Sequence, residues 1–172
     1  MKREEGTYEM SNQPEMIQQA IPISRQELPE LQFVGMIVNV SFKHGDFGRI
    51  GEVKEAFMRR RTEIQNVVDP DYFYAPWYSC EVMFTYFYCM QVSSLEHVPE
   101  GMMGFSVPAH TYLKAEYDGV SPWEPDPYGE LQRYRAEHGL KEHSNAMVIE
   151  KYAFANEGRE GRITIDIFGP IE

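Results

Sequence analysis

The sequence predicts an α+β fold: two tandem strand–helix–strand–strand units, side by side in one antiparallel sheet with approximate two-fold symmetry and a central cleft between the halves. Three observations predict it. Runs rich in Val, Ile, Phe and Tyr that alternate with period two recur along the chain, the signature of strands. Two segments instead space their apolar residues like one face of a helix. The order strand, helix, strand, strand is then met twice with matching element lengths, although the halves share no obvious sequence identity. The composition supports a packed core. Of 172 residues, 42% are hydrophobic and 13% aromatic, enough for one domain without a disulfide or a metal.

Taken in order, residues 1–31 are polar and carry Pro14, Pro22 and Pro29, and are expected to form a mobile leader with a short lead-in to the domain. The domain is expected over 32–172, with halves at about 32–95 and 99–172. FVGMIVNVSF (33–42) reads as a strand with Met36, Val38, Val40 and Phe42 on one face. Phe47, Ile50, Val53, Phe57 and Ile64 recur near helical spacing, so 47–64 reads as a helix that Asp46 can cap and that Asp69-Pro70-Asp71 ends. YFYAPWYSC (72–80) and MFTYFYCMQV (83–92) read as a hairpin, with Pro76 marking an edge or a bulge. FSVPAHTYLKAEYDG (105–119) reads as one long strand opening after Pro108, followed by a Pro-rich loop over 120–127. Asp126 and Pro127 form an N-cap and first-turn pair, Tyr128, Leu131, Tyr134 and His138 share one helix face, and Gly139 is a natural stop. The last strands are 145–154 and 162–171, the latter with Ile163, Ile165 and Ile167 on one face.

Charge and motif content exclude several functions. Lys and Arg total 16 against 27 Asp and Glu, a formal charge of −11, which argues against direct nucleic-acid binding. No apolar stretch is long enough to span a membrane, and the N-terminus lacks the apolar run of a secretory signal, so a cytoplasmic location is expected. In the expected hairpin Cys80 and Cys89 do not face each other, so no bridge is expected. His44, His97, His110, His138 and His143 show no metal-ligand spacing, and no Walker loop, GxGxxG or GxSxG is present. No metal site and no cofactor are expected. Arg59, Arg60 and Arg61 close a helix, where the helix dipole favours cations.

Glu150 is the most informative residue. Alternation over 146–154 puts it on one face with Val148, Tyr152 and Phe154, a carboxylate among apolar and aromatic neighbours in mid-strand. Burying such a group costs several kcal/mol unless something offsets it. An Arg or a set of Tyr hydroxyls can do so, and so can a cationic ligand. Trp77, Tyr78, Tyr86, Tyr112, Trp123 and Tyr152 are all on strands or loops near the junction of the halves. Individually they suit ordinary packing. As a set around one acid they resemble an aromatic cage, whose ring faces attract a cation.

PEGMMGFSVPAHTYLKAEYDG (99–119), PYGELQRY (127–134), VIEKY (148–152) and RITIDIFGPI (162–171) together resemble the gyrase-inhibitor-like family of small-molecule effector-binding domains. FVGM (33–36) and YFYCMQV (86–92) resemble that family's first half. The family usually carries an Ala-Gly pair where Tyr88 and Cys89 stand, a departure that reshapes or partly fills its pocket. The resemblance implies the duplicated fold. It also implies a cleft that binds lipophilic cations, with Glu150 as anchor, Tyr152 beside it and Trp123 as an aromatic wall. In transcription regulators that domain follows a helix-turn-helix region. About 30 polar residues precede it here, so the resemblance implies a stand-alone module.

Three functions follow as expectations. The first is capture of a cationic or amphipathic small molecule by Glu150, Tyr152, Trp123, Tyr86, Trp77 and Tyr112. The second, implied by one branch of the family, is hydrolysis of reactive cyclopropane-containing compounds. There Glu150 acts as base or electrostatic stabiliser, with Tyr86 or Tyr152 orienting water. The third is inhibition of a protein partner such as gyrase by the acidic surface.

Overall fold

The structure is a computed structural model in which residues 20–172 are described; the expected leader lies largely outside them. The elements are β1 (Ile23–Leu28), β2 (Leu31–Ser41), α1 (Gly48–Arg60), β3 (Tyr72–Ser79), β4 (Met83–Val92) and β5 (Met103–Val107), then β6 (His110–Val120), α2 (Pro127–His138), β7 (Val148–Ala153) and β8 (Arg162–Ile171). The strands form one antiparallel sheet in the order β1-β6-β8-β7-β3-β4-β2-β5. The expected α+β architecture is present, and the halves meet where β7 pairs with β3.

The duplication extends further than strand–helix–strand–strand. Each half begins with an extra short strand, and the two are exchanged: β1 pairs with β6 of the second half, and β5 with β2 of the first. One offset of 79 residues relates Leu28 to Val107 (107 − 28), Leu31 to His110 (110 − 31), Gly48 to Pro127 (127 − 48) and Val92 to Ile171 (171 − 92), each the boundary of an equivalent element. Pro29 and Pro108 share this offset and sit in the two links. Proline has no N–H to give to a ladder, so each strand breaks there and resumes against a different neighbour. Leu28 pairs with His110 and Leu31 with Val107, so the register runs on unbroken past both prolines. The two ends of the strand order therefore meet at this crossing.

Several local expectations are corrected. β1 lies in the segment expected to lead into the domain; it is short, flanked by Pro22 and Pro29, and its alternate residues Arg25 and Glu27 are exposed. The single strand expected over 105–119 is β5 and β6. The first helix ends at Arg60, one 3₁₀ turn covers Arg61–Glu63, and buried Ile64 follows in extended backbone. Asp46 does accept from the Gly48 N–H, at 2.9 Å. Phe42 and Phe47 face solvent, about half exposed, because the chain leaves the sheet after Ser41. The strand expected over 145–154 begins at Val148, and Phe154 opens a 3₁₀ turn.

Both helices pack on the same face. α1 covers β2 and β4 through Phe57, and α2 covers β6 and β8 through Leu131. Among the described residues neither helix is centred on the middle pair, β3 and β7, and the side chains of the two half-cores meet there: Trp77 and Tyr152 pack against both. A third cluster, with Phe33, Cys89, Tyr112, Ile149 and Phe168, fills the helix-free face where the sheet curls toward the crossing. Among the described residues no helix is long and apolar enough to cross a membrane.

Candidate functional site

Glu150 sits in the middle of β7, opposite Ala75 of β3 and Ile167 of β8, on the helix-bearing face. The internal duplication explains its position. The pair Tyr74–Cys89 corresponds to Ile149–Phe168, so Ala75 is the counterpart of Glu150 in the other half. The two counterparts pair with each other, which places the pseudo-two-fold axis between them. The second half carries the acid on that axis, and the first half carries a methyl group opposite it.

The carboxylate is 6% exposed. Tyr128 donates its hydroxyl to Oε1 at 2.5 Å, and Tyr152 donates to Oε2 at 2.6 Å. Tyr86 also donates to Oε2. Trp77 Nε1 in turn donates to the Tyr128 hydroxyl at 2.9 Å. Among the described residues Glu150 makes no ion pair. Of the two offsets within the protein that the sequence left open, the tyrosine hydroxyls are the ones used. Burial still raises the Glu150 pKa above its ordinary value, and the Tyr128, Tyr152 and Tyr86 hydroxyls pull it part of the way back. Burial, and then the carboxylate charge, hold the hydroxyls of Tyr86, Tyr128 and Tyr152 well above the usual tyrosine range, so all three stay protonated donors.

Stacked rings fix these hydroxyls. Tyr152 lies on Phe73 with centroids 5.0 Å apart and planes at 12°. Tyr86 packs against Phe84 at 5.5 Å and meets Tyr88 edge-on at 5.1 Å. Tyr128 is the second residue of α2: Asp126 accepts from its backbone N–H at 3.0 Å and Pro127 sets the first turn, and its hydroxyl reaches Glu150. Trp123 stands edge-on to Tyr128 at 5.7 Å. Its loop is tied down by Tyr117, whose hydroxyl accepts from the Glu124 N–H and donates to the Val120 carbonyl.

The structure thus brings Glu150, Tyr152, Tyr86 and Trp77 together, with Trp123 one ring further out. It does not bring Tyr112 or Tyr78. Tyr112 is wholly buried on the opposite face, beside Phe168 and His110, and its hydroxyl makes no hydrogen bond among the described residues. Burial pushes its pKa up to about 12. Tyr78 is exposed near the hairpin end of β3. The sequence reading placed Tyr128 on the core face of its helix but not in the site. The signal was present, since the Asp126-Pro127 start makes Tyr128 a ring at the helix mouth. Of the unusual pair, Tyr88 joins the first-half wall against Phe57, while Cys89 points into the opposite core.

Comparison with known proteins places this geometry in context. A family model described as Cass2, integron-associated effector binding protein, matches residues 26–171. No curated protein sequence matches. The fold is shared with SAV2435, solved bound to tetraphenylphosphonium, at 14% identity and a TM-score of 0.65, covering 88% of this chain and 94% of that one. It is also shared with the C-terminal domain of EcmrR, at 14% identity and a TM-score of 0.67, covering 90% and 99%. A hydrolase from Listeria innocua resembles it at 9% identity and a TM-score of 0.54, covering 87% and 91%.

Proposed function

The chain belongs to the integron-associated effector binding protein family, and from that premise we propose that it captures a cationic or amphipathic small molecule in a trough over β3 and β7, where the two half-cores meet, with Glu150 as the electrostatic anchor. The observation that carries this reading is the buried carboxylate held by Tyr86, Tyr128 and Tyr152 with no ion pair among the described residues. The donors around Glu150 are neutral hydroxyls, so its carboxylate, when ionised, carries a charge that no protein cation meets among the described residues, and in a low-dielectric setting an arriving positive charge gains most from it. Trp77, Tyr86, Tyr128 and Tyr152 surround the carboxylate, and a ring whose face a cation reaches adds about 0.5–2 kcal/mol. The fold relative solved with tetraphenylphosphonium supports the same ligand class. The net charge of −11 concentrates cations near the protein.

Glu150→Gln keeps the shape and removes the charge. Titration of a cationic dye, followed by fluorescence, is expected to show affinity at least tenfold weaker, about 1.4 kcal/mol. Equal affinity removes Glu150 as the anchor. Hydrolysis is the second reading, because a buried carboxylate beside protonated tyrosines is also acid–base machinery. Incubation with a cyclopropane-bearing compound and mass spectrometry separates the two: turnover that Glu150→Gln abolishes selects hydrolysis, and an unchanged compound that nonetheless binds selects capture.

A further inference from the structure

Most acceptor positions on the Glu150 carboxylate are taken by neutral hydroxyl donors, and among the described residues no protein cation meets it. A carboxylate offers about four lone-pair positions. Here Oε1 takes the Tyr128 hydroxyl and Oε2 takes both Tyr86 and Tyr152, so three are filled. The Tyr128 oxygen, which could itself accept from a ligand, is occupied by Trp77 Nε1. The remaining lining is ring carbon, such as Phe73 stacked beneath Tyr152 and Phe84 beside Trp77. What remains open is one lone pair of Oε1, among aromatic side chains, on a carboxylate that no protein cation meets among the described residues.

The cost of entering such a site depends on how a cation carries its charge. A primary ammonium brings three N–H donors and a guanidinium five. Each donor stripped of water and left without an acceptor is penalised. A quaternary ammonium, a phosphonium or an N-alkylpyridinium has no donor to satisfy and loses nothing by facing rings. We propose that the site selects cations without hydrogen-bond donors over protonated amines and guanidines of equal apolar size, and that the three tyrosine hydroxyls on Glu150 set this preference. The proposal rests on the capture reading above and goes beyond it, since charge capture alone predicts no such preference.

Two isomeric cations test it at pH 7: (1-naphthylmethyl)trimethylammonium and 4-(1-naphthyl)butylammonium, which share one formula, one ring system and one charge. Calorimetric or fluorescence titration of the full chain is expected to give the quaternary isomer at least tenfold tighter binding. Tyr152→Phe keeps the ring on Phe73 and frees one lone pair of Oε2. It is expected to cut the preference to threefold or less by strengthening binding of the primary amine. Tyr128→Phe, which frees Oε1, is expected to act the same way and serves if the first variant does not fold. Equal affinities in the wild type, or tighter binding of the amine, overturn the preference while leaving capture intact. A preference that survives both variants assigns it to ring shape and overturns the role of the hydroxyls. Binding of neither isomer overturns capture and preference together.

Discussion

Glu150 joins two requirements that ordinarily conflict. A buried acid destabilises a fold unless its charge is met, yet a cation-binding site needs that charge unmet. Three tyrosine donors resolve the conflict part-way, and the remaining strain has a sign that can be measured. Burial raises the folded-state pKa of Glu150 above its ordinary value of 4.5. The stability of the neutral form is therefore fully present below about pH 4.5 and is lost as pH rises through the folded-state value. Glu150→Gln is neutral throughout, so its advantage in urea unfolding over the wild type is expected to be small at pH 4, to widen as pH rises from about 4.5 to the folded-state value, and to level off above it. An advantage that does not change with pH, or that shrinks, means the hydroxyls fully compensate for burial. Alternation along the strand made this residue legible, because a carboxylate flanked by Val148 and Tyr152 breaks the apolar pattern wherever the strand is placed. Alternation failed for Tyr112. Both faces of β6 are covered, one by α2 and one by the curled sheet, so periodicity alone does not tell which face holds the trough.

Among the elements, α2 couples local capping to the site. Asp126 accepts from the Tyr128 N–H, Pro127 fixes the first turn, and Gly139 closes the helix with φ 64°. The same turn that satisfies the helix end aims the Tyr128 hydroxyl at Oε1. Asp126→Ala is expected to lower stability by about 1 kcal/mol in urea unfolding. It is also expected to weaken dye binding measurably, although Asp126 itself bonds the Tyr128 backbone and not Glu150. Lost stability with unchanged affinity separates the helix start from the site. The start of α1, both ends of α2, the β3–β4 hairpin and β8 were legible because cap chemistry and period-two runs act locally, whereas the end of α1 was placed four residues too late. β1 was not, since an edge strand with one polar face looks like a polar lead-in until its partner is known. Nor was the break at Pro108 recognised, because only the pairing of β5 with β2 shows that the two pieces belong to different ladders. Pro29 carried the same signal 79 positions earlier (108 − 29), and comparing the two would have shown the exchange of strands.

For the whole molecule, that exchange decides whether the duplicated halves behave as one folding unit. Two separate units would unfold separately, with only the β3–β7 pairing between them. Here β1 is covalently part of the first half and hydrogen-bonded to the second, and β5 reverses the arrangement. Trp77 and Tyr152 pack against both half-cores at the trough. Damage to one half therefore removes support from the other, and one cooperative transition follows. Phe57 tests this from a distance: it is wholly buried under α1 against Phe73 and Tyr88, and belongs only to the first half-core. Phe57→Ala is expected to cost about 3–5 kcal/mol. Native-state hydrogen exchange is expected to show the globally protected amides of β8, at Ile165 and Ile167, losing protection by the same factor as those of β4, at Tyr88 and Met90. That factor is about a hundredfold or more. If β4 loses protection while β8 keeps it, the halves unfold independently. The trough would then open by separation of the halves, and the hydroxyl shell around Glu150 would assemble only when both are folded.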